Sequence, residues 1–105
     1  MAEPAEVRGA LFQAIDRGLA VPGEIVRAMI YEPVERSYQL KREDIPDKLE
    51  SFHLALQDLL GAGTKAMEEL IAKNLYRRPG LNFAEHANWR MVDYVNYARG
   101  EKRDA

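Results

Sequence analysis

Apolar residues recur along most of the chain at the three-and-four spacing of helices, and no stretch gives a convincing strand pattern. Val7, Leu11, Ile15 and Leu19 repeat every fourth position with Ala10 and Ala14 beside them, which predicts a helix from Pro4 to about Leu19. Gly18 is expected to fray its end. Pro22-Gly23 then punctuates the chain. Ile25, Val26, Met29 and Ile30 open a second helical pattern, and Val34 and Tyr38 continue it on the same face. Pro33 lies inside that pattern, where a proline loses a hydrogen bond and clashes one turn back. A kink or break is therefore expected at Tyr31-Glu32, with Pro33 starting a new short helix. Lys41 to Pro46 reads as a charged connector ending in the turn Ile45-Pro46.

The sharpest amphipathic signal is a helical hairpin, about 47–60 and 63–78, joined at Gly61-Ala62-Gly63. In its first arm, Leu49, Phe52, His53, Leu56, Leu59 and Leu60 form the apolar stripe, and Glu50, Gln57 and Asp58 are left for water. Asp47 and Glu50 have the spacing of a capping box. Gly61 stands where a left-handed glycine closes a helix, and two glycines in three residues would let the arms approach closely. Met67, Leu70, Ile71 and Leu75 form the stripe of the second arm, which Pro79-Gly80 stops. Leu81 to Ala87 reads as a loop with Leu81 and Phe83 pinned to the core.

A last helix is predicted over about 88–99, with Asn88 as N-cap and Gly100 as its end. Its apolar side is wider than one small core needs. Trp89, Met91, Tyr94 and Tyr97 are therefore candidates for an interaction surface, the alternative being a helix clamped between two layers. Residues 101–105 form a charged tail that is expected to be flexible. The reading is an all-α protein, a compact bundle of four to five helices around the hairpin, and a single domain over 1–105.

Composition agrees and removes several functions. The chain has 105 residues, 47% apolar and 30% charged, which is a globular balance. It has no cysteine, so disulfide, thiolate and zinc-finger chemistry are absent. A net charge of −2 argues against a generic binder of nucleic acid or anionic membrane. Charge is nonetheless uneven, −4 over residues 1–60 and +2 over 61–105. Lys73, Arg77, Arg78 and Arg99 are a candidate basic patch, with Lys102 and Arg103 beyond them. The simpler alternative is that they cap helix C-termini. The opening Met1-Ala2-Glu3-Pro4 has no leader character and the apolar runs are too short to span a bilayer, so a cytoplasmic, non-membrane protein is expected.

Chemistry is sparse. His53 lies on the apolar stripe and reads as a packed histidine bonded through one ring nitrogen, or else as a proton-sensitive switch. His86 beside Glu85 lacks a second ligand at helical spacing, so no metal and no cofactor is expected. The carboxylate pairs Glu43-Asp44 and Glu68-Glu69 are sequence neighbours and diverge, and Ser37 and Ser51 have no base nearby. No catalytic residue is assigned, and the chain is read as non-enzymatic.

Ile45-Pro46-Asp47, Phe52, Leu56, Leu60-Gly61-Ala62-Gly63, Met67-Glu68, Ile71, Leu75-Tyr76 and Gly80 together resemble the Nitrosopumilus output domain family, small helical modules of archaea. The resemblance spans about two-thirds of the chain, from Ala28 to Arg99. Pro33 and Pro79 depart from it, each standing where the family has an aliphatic residue. The resemblance implies a signalling output or stand-alone subunit and brings no catalytic residues. The expected function is a helical interaction module that self-associates or docks on a larger protein. A nucleic-acid- or ribosome-associated accessory protein using the basic C-terminal end is the alternative.

Overall fold

The computed structural model describes residues 5–77 and 81–100. Arg78, the Pro79-Gly80 stop and the 101–105 tail lie outside the described residues, as does the Val7 side chain. Five helices follow one another: α1 (Ala5–Ala20), α2 (Glu24–Tyr38), α3 (Leu49–Leu60), α4 (Thr64–Leu75) and α5 (Met91–Ala98). Short 3-10 turns at Arg42–Asp47 and Gly61–Gly63 join α2 to α3 and α3 to α4. The protein is an all-α bundle. One core runs through it, from Leu11, Ile15 and Leu19 through Val34, Phe52, Leu56 and Ile71 to Met91, Tyr94 and Val95.

The periodicity of α1, α3 and α4 carries over directly, and several local expectations do not. Gly18 does not fray α1: it is buried within it, and the most extensive helix contact in the molecule is α1 on α4. A Cβ on Gly18 would lie 2.7 Å from Ile71 Cγ1, so this glycine sets the distance between the two helices. Gly61 and Gly63 do not bring the hairpin arms together, since a Cβ on Gly61 would meet nothing within 4 Å. Gly61 instead turns the chain, at φ 53° and ψ −121°. Across that turn the Thr64 hydroxyl donates to the Leu56 carbonyl at 3.0 Å.

Pro33 does not break α2, which runs unbroken from Glu24 to Tyr38. The carbonyl it deprives of a partner is that of Met29, whose side chain is on the water-facing side of the helix. The Asp47–Glu50 capping box does not form. Lys48 is the N-cap of α3, and no side chain caps it. Asp47 instead takes the Arg8 guanidinium from α1, at 3.0 and 2.7 Å, and Arg8 also donates to the Glu43 carbonyl. Glu50 takes Arg90, at 3.1 and 2.7 Å, tying the start of α3 to the start of α5. Long-range partners displaced the local cap because an arginine fork offers each carboxylate two charge-assisted bonds. Asn88 is likewise not the cap of α5. The helix begins at Met91 with Arg90 as N-cap, whose N–H donates to Asp93 at 2.9 Å.

α2 ends on a residue that is not glycine. Gln39 is held at φ 54° and ψ 39°, and the Leu40 N–H reaches back to the Val34 carbonyl at 3.3 Å while its side chain is buried. This is a Schellman-type ending with a side chain at the left-handed position, which favours glycine. Gln39→Gly is therefore expected to stabilise the fold by about 0.5–1 kcal/mol, seen as a higher urea midpoint with unchanged slope.

Candidate functional site

His53 of α3 and Glu68 of α4 face each other inside the bundle, with Nδ1 and Oε2 2.5 Å apart. They are 9% and 3% exposed, the most deeply buried titratable pair in the described residues. The other Glu68 oxygen accepts the Met91 N–H at 3.0 Å, at the first turn of α5. One carboxylate thus joins three helices. Glu68 spends one carboxylate oxygen on the His53 ring and the other on the backbone of α5.

The pair forms the floor of a cleft of about 260 Å³ between the Gly61–Gly63 turn and the loop ending at Arg90. Gln57, Ala62, Asn88 and Trp89 line its walls. Its cations are already engaged: Lys65 Nζ bonds the Ala87 carbonyl at 3.0 Å, and Arg90 holds Glu50. The histidine reading drawn from the sequence is thus met as a packed ring with one bonded nitrogen. The Glu68 half was missed.

The four aromatic-helix candidates separate. Met91 and Tyr94 are 1% exposed and belong to the core, which corrects their assignment to an outer surface. Trp89 is half-buried, and Tyr97 alone of the four is open to water, at 54%. α5 packs on α3 and α4, and an aromatic cluster that includes the 81–90 loop covers it further. Phe83 stacks on Tyr94 at 5.2 Å, Tyr76 meets both edge-on, and His86 lies flat on Trp89 at 3.8 Å. The Tyr76 hydroxyl donates to the Tyr94 carbonyl at 2.8 Å, and burial with two neighbouring phenols pushes its pKa up to about 12. Tyr31 is also pushed up, by burial first and then by Asp16, which accepts its hydroxyl at 3.0 Å. His86 is held by this stack, and no group of three or more metal-ligating side chains occurs among the described residues.

Of the basic candidates, Lys73, Arg77 and Arg99 are described, and Arg77 and Arg99 line different hollows. Lys73 lies 5.6 Å from the Phe83 ring centre. Arg77 lines a hollow against Gln13 and Arg17 of α1, whereas Arg99 lines a separate groove at the start of α3 beside Lys48.

Of the positions the sequence places on apolar stripes, the fold leaves Leu59 of α3 38% exposed and, more markedly, one side of α2 open. Ile30 and Val34 are buried, but Ile25 is 76% and Met29 66% exposed, one helical turn apart, with Val21 exposed just ahead of the helix. No helix of the described residues is long and apolar enough to cross a membrane. Nor does any family model, curated protein or solved structure match the chain.

Proposed function

We propose that the chain is a non-enzymatic helical interaction module that pairs with a second copy of itself through the outer face of α2. The observation that supports this reading is the pair Ile25 and Met29, one turn apart on α2 and 76% and 66% exposed, with Val21 also exposed in the turn just before the helix. The rim favours a like copy. Glu24 is bridged to Arg27 and Glu32 to Arg36 on the helix itself, so two such faces meet without net repulsion. A two-fold axis across α2 lets Ile25 of each copy meet Met29 of the other. A signalling output or stand-alone subunit, which the resemblance implies, is compatible with such pairing.

Three side chains fall well short of the roughly 800 Å² per partner of a stable interface, so the pairing is weak and reversible. Sedimentation velocity from low micromolar to near-millimolar protein is expected to show a rising weight-average mass. Ile25→Glu with Met29→Glu is expected to abolish the rise and leave the circular dichroism unchanged. Tyr97→Glu is expected to leave association intact, which separates α2 from α5 as the surface. A strict monomer at the highest concentration overturns the reading.

A further inference from the structure

We infer that the hollow between α1 and the end of α4 is a binding site for the phosphate group of a small soluble phosphate monoester, held by the guanidiniums of Arg17 and Arg77. This is independent of the α2 pairing, since no residue of α2 lines the hollow.

Four observations support it. First, the fold brings two permanent cations to one place. Gln13 and Arg17 stand one turn apart on α1, and the hollow opens between them and Asn74 and Arg77. A guanidinium is always charged and only donates, so the chemistry of this hollow does not turn on a protonation state. Second, neither Arg17 nor Arg77 has a side-chain hydrogen bond or ion pair among the described residues, and no carboxylate among them lines the hollow. Arg8, Arg27, Arg36 and Arg90, by contrast, each hold a carboxylate. Two like charges in one hollow repel until an anion stands between them. Third, charge and size fit the ligand. A phosphate monoester dianion neutralises both arginines, whereas a monocarboxylate leaves one uncompensated. About 190 Å³ equals roughly six waters at ~30 Å³ each, room for a phosphate and a compact stem. Fourth, Ala14 and Leu75, 3% and 4% exposed, give that stem an apolar floor, and the Gln13 amide adds a donor. The C-terminal end of α4 would oppose an anion, but its Ala72 and Asn74 carbonyls already accept the Tyr76 and Arg77 N–H groups. The net charge of −2 over the whole chain disfavours a polyanion and favours a small ligand.

Calorimetric titration of the intact protein with phenyl phosphate, at an ionic strength fixed with sodium chloride, tests the inference. Phenyl phosphate is expected to bind saturably at pH 7, and benzoate, with the same ring and a single charge, at least ten-fold more weakly. At pH 5, below the second pKa of the ester at about 6, binding is expected to weaken several-fold. Arg17→Gln and Arg77→Gln are each expected to weaken it at least ten-fold. Lys41→Gln removes the same charge at an exposed position outside the hollow and is expected to leave binding unchanged. Without ligand, both arginine variants are expected to melt no lower than the wild type, because they relieve repulsion and break no contact. No saturation, benzoate as tight as the ester, undiminished binding in either arginine variant, an equal loss in Lys41→Gln, or a lower melting temperature of the unliganded arginine variants each overturns the inference. So does tighter, arginine-dependent capture of single-stranded oligothymidylate or of phosphatidic acid vesicles, which would make the hollow part of a nucleic-acid or lipid surface.

Discussion

Glu68→Ala is expected to lower the unfolding free energy by about 3 kcal/mol, because it removes the partner of two groups at once: the His53 Nδ1 and the Met91 N–H. For a domain of this size each kcal/mol shifts the melting temperature by about 4–8 °C, so the loss is large in a thermal scan followed by circular dichroism. Part of the loss is offset by water entering through the cleft to the imidazole, which keeps the figure from rising further. Glu68→Gln retains one acceptor and nearly the same volume, and is expected to cost about half as much. The informative comparison is the double variant His53→Leu with Glu68→Met. It removes both members of the pair and leaves only the Met91 N–H unsatisfied, so it is expected to be more stable than Glu68→Ala alone. If the alanine variant melted with the wild type, Glu68 would not be a junction of three helices.

The pair could have been seen in part. Thr64, Glu68, Ile71 and Leu75 recur at four, three and four residues, which puts Glu68 in the middle of the apolar stripe of α4. Its neighbour Glu69 disguised this by making the two look like a solvated acidic step. His53 was placed on its stripe correctly, yet periodicity within one helix says nothing about what faces it across the interface. Meeting of residues 15 apart on consecutive helices is a property of the packing. A similar boundary explains α2. Ile25, Val26, Met29, Ile30 and Val34 spread over roughly 180° of a helix that turns about 100° per residue, wider than the stripe one neighbour covers. Pattern identified the helix, and only the placement of α1 and α3 decided that Ile30 and Val34 go inside and Ile25 and Met29 stay out. The helical caps failed for a third reason. Asp47 and Glu50 have the right spacing for a box, but Arg8 and Arg90 lie 39 and 40 residues away and compete for them.

Gly18 and Gly9 offer the sharpest contrast, because the same substitution in the same helix is expected to change stability in opposite directions. At Gly9 an added Cβ meets nothing within 4 Å, so Gly9→Ala gains only the helical preference of alanine and is expected to stabilise by about 0.5–1 kcal/mol. At Gly18 the new Cβ would stand 2.7 Å from Ile71 Cγ1, 2.8 Å from its Cα and 3.0 Å from its N. Two of those three atoms are backbone and cannot rotate away. Helices α1 and α4 must therefore separate, loosening contacts between Leu11, Ile15, Leu19 and the α4 stripe. Overpacking of this kind costs about 1–3 kcal/mol and often more when backbone must move. Gly18→Ala is thus expected to destabilise by about 2 kcal/mol net of the helical gain, and Gly18→Leu to prevent a cooperative thermal transition altogether. Truncating the neighbour separates the explanations. If the clash were with the Ile71 side chain alone, Ile71→Ala would rescue Gly18→Ala. Because the Ile71 Cα and N stay in place, no rescue is expected, and the truncation adds its own cavity cost of about 2–5 kcal/mol. Urea unfolding of the four proteins closes the cycle, and a Gly18→Ala as stable as wild type would mean that α1 and α4 do not touch at this glycine.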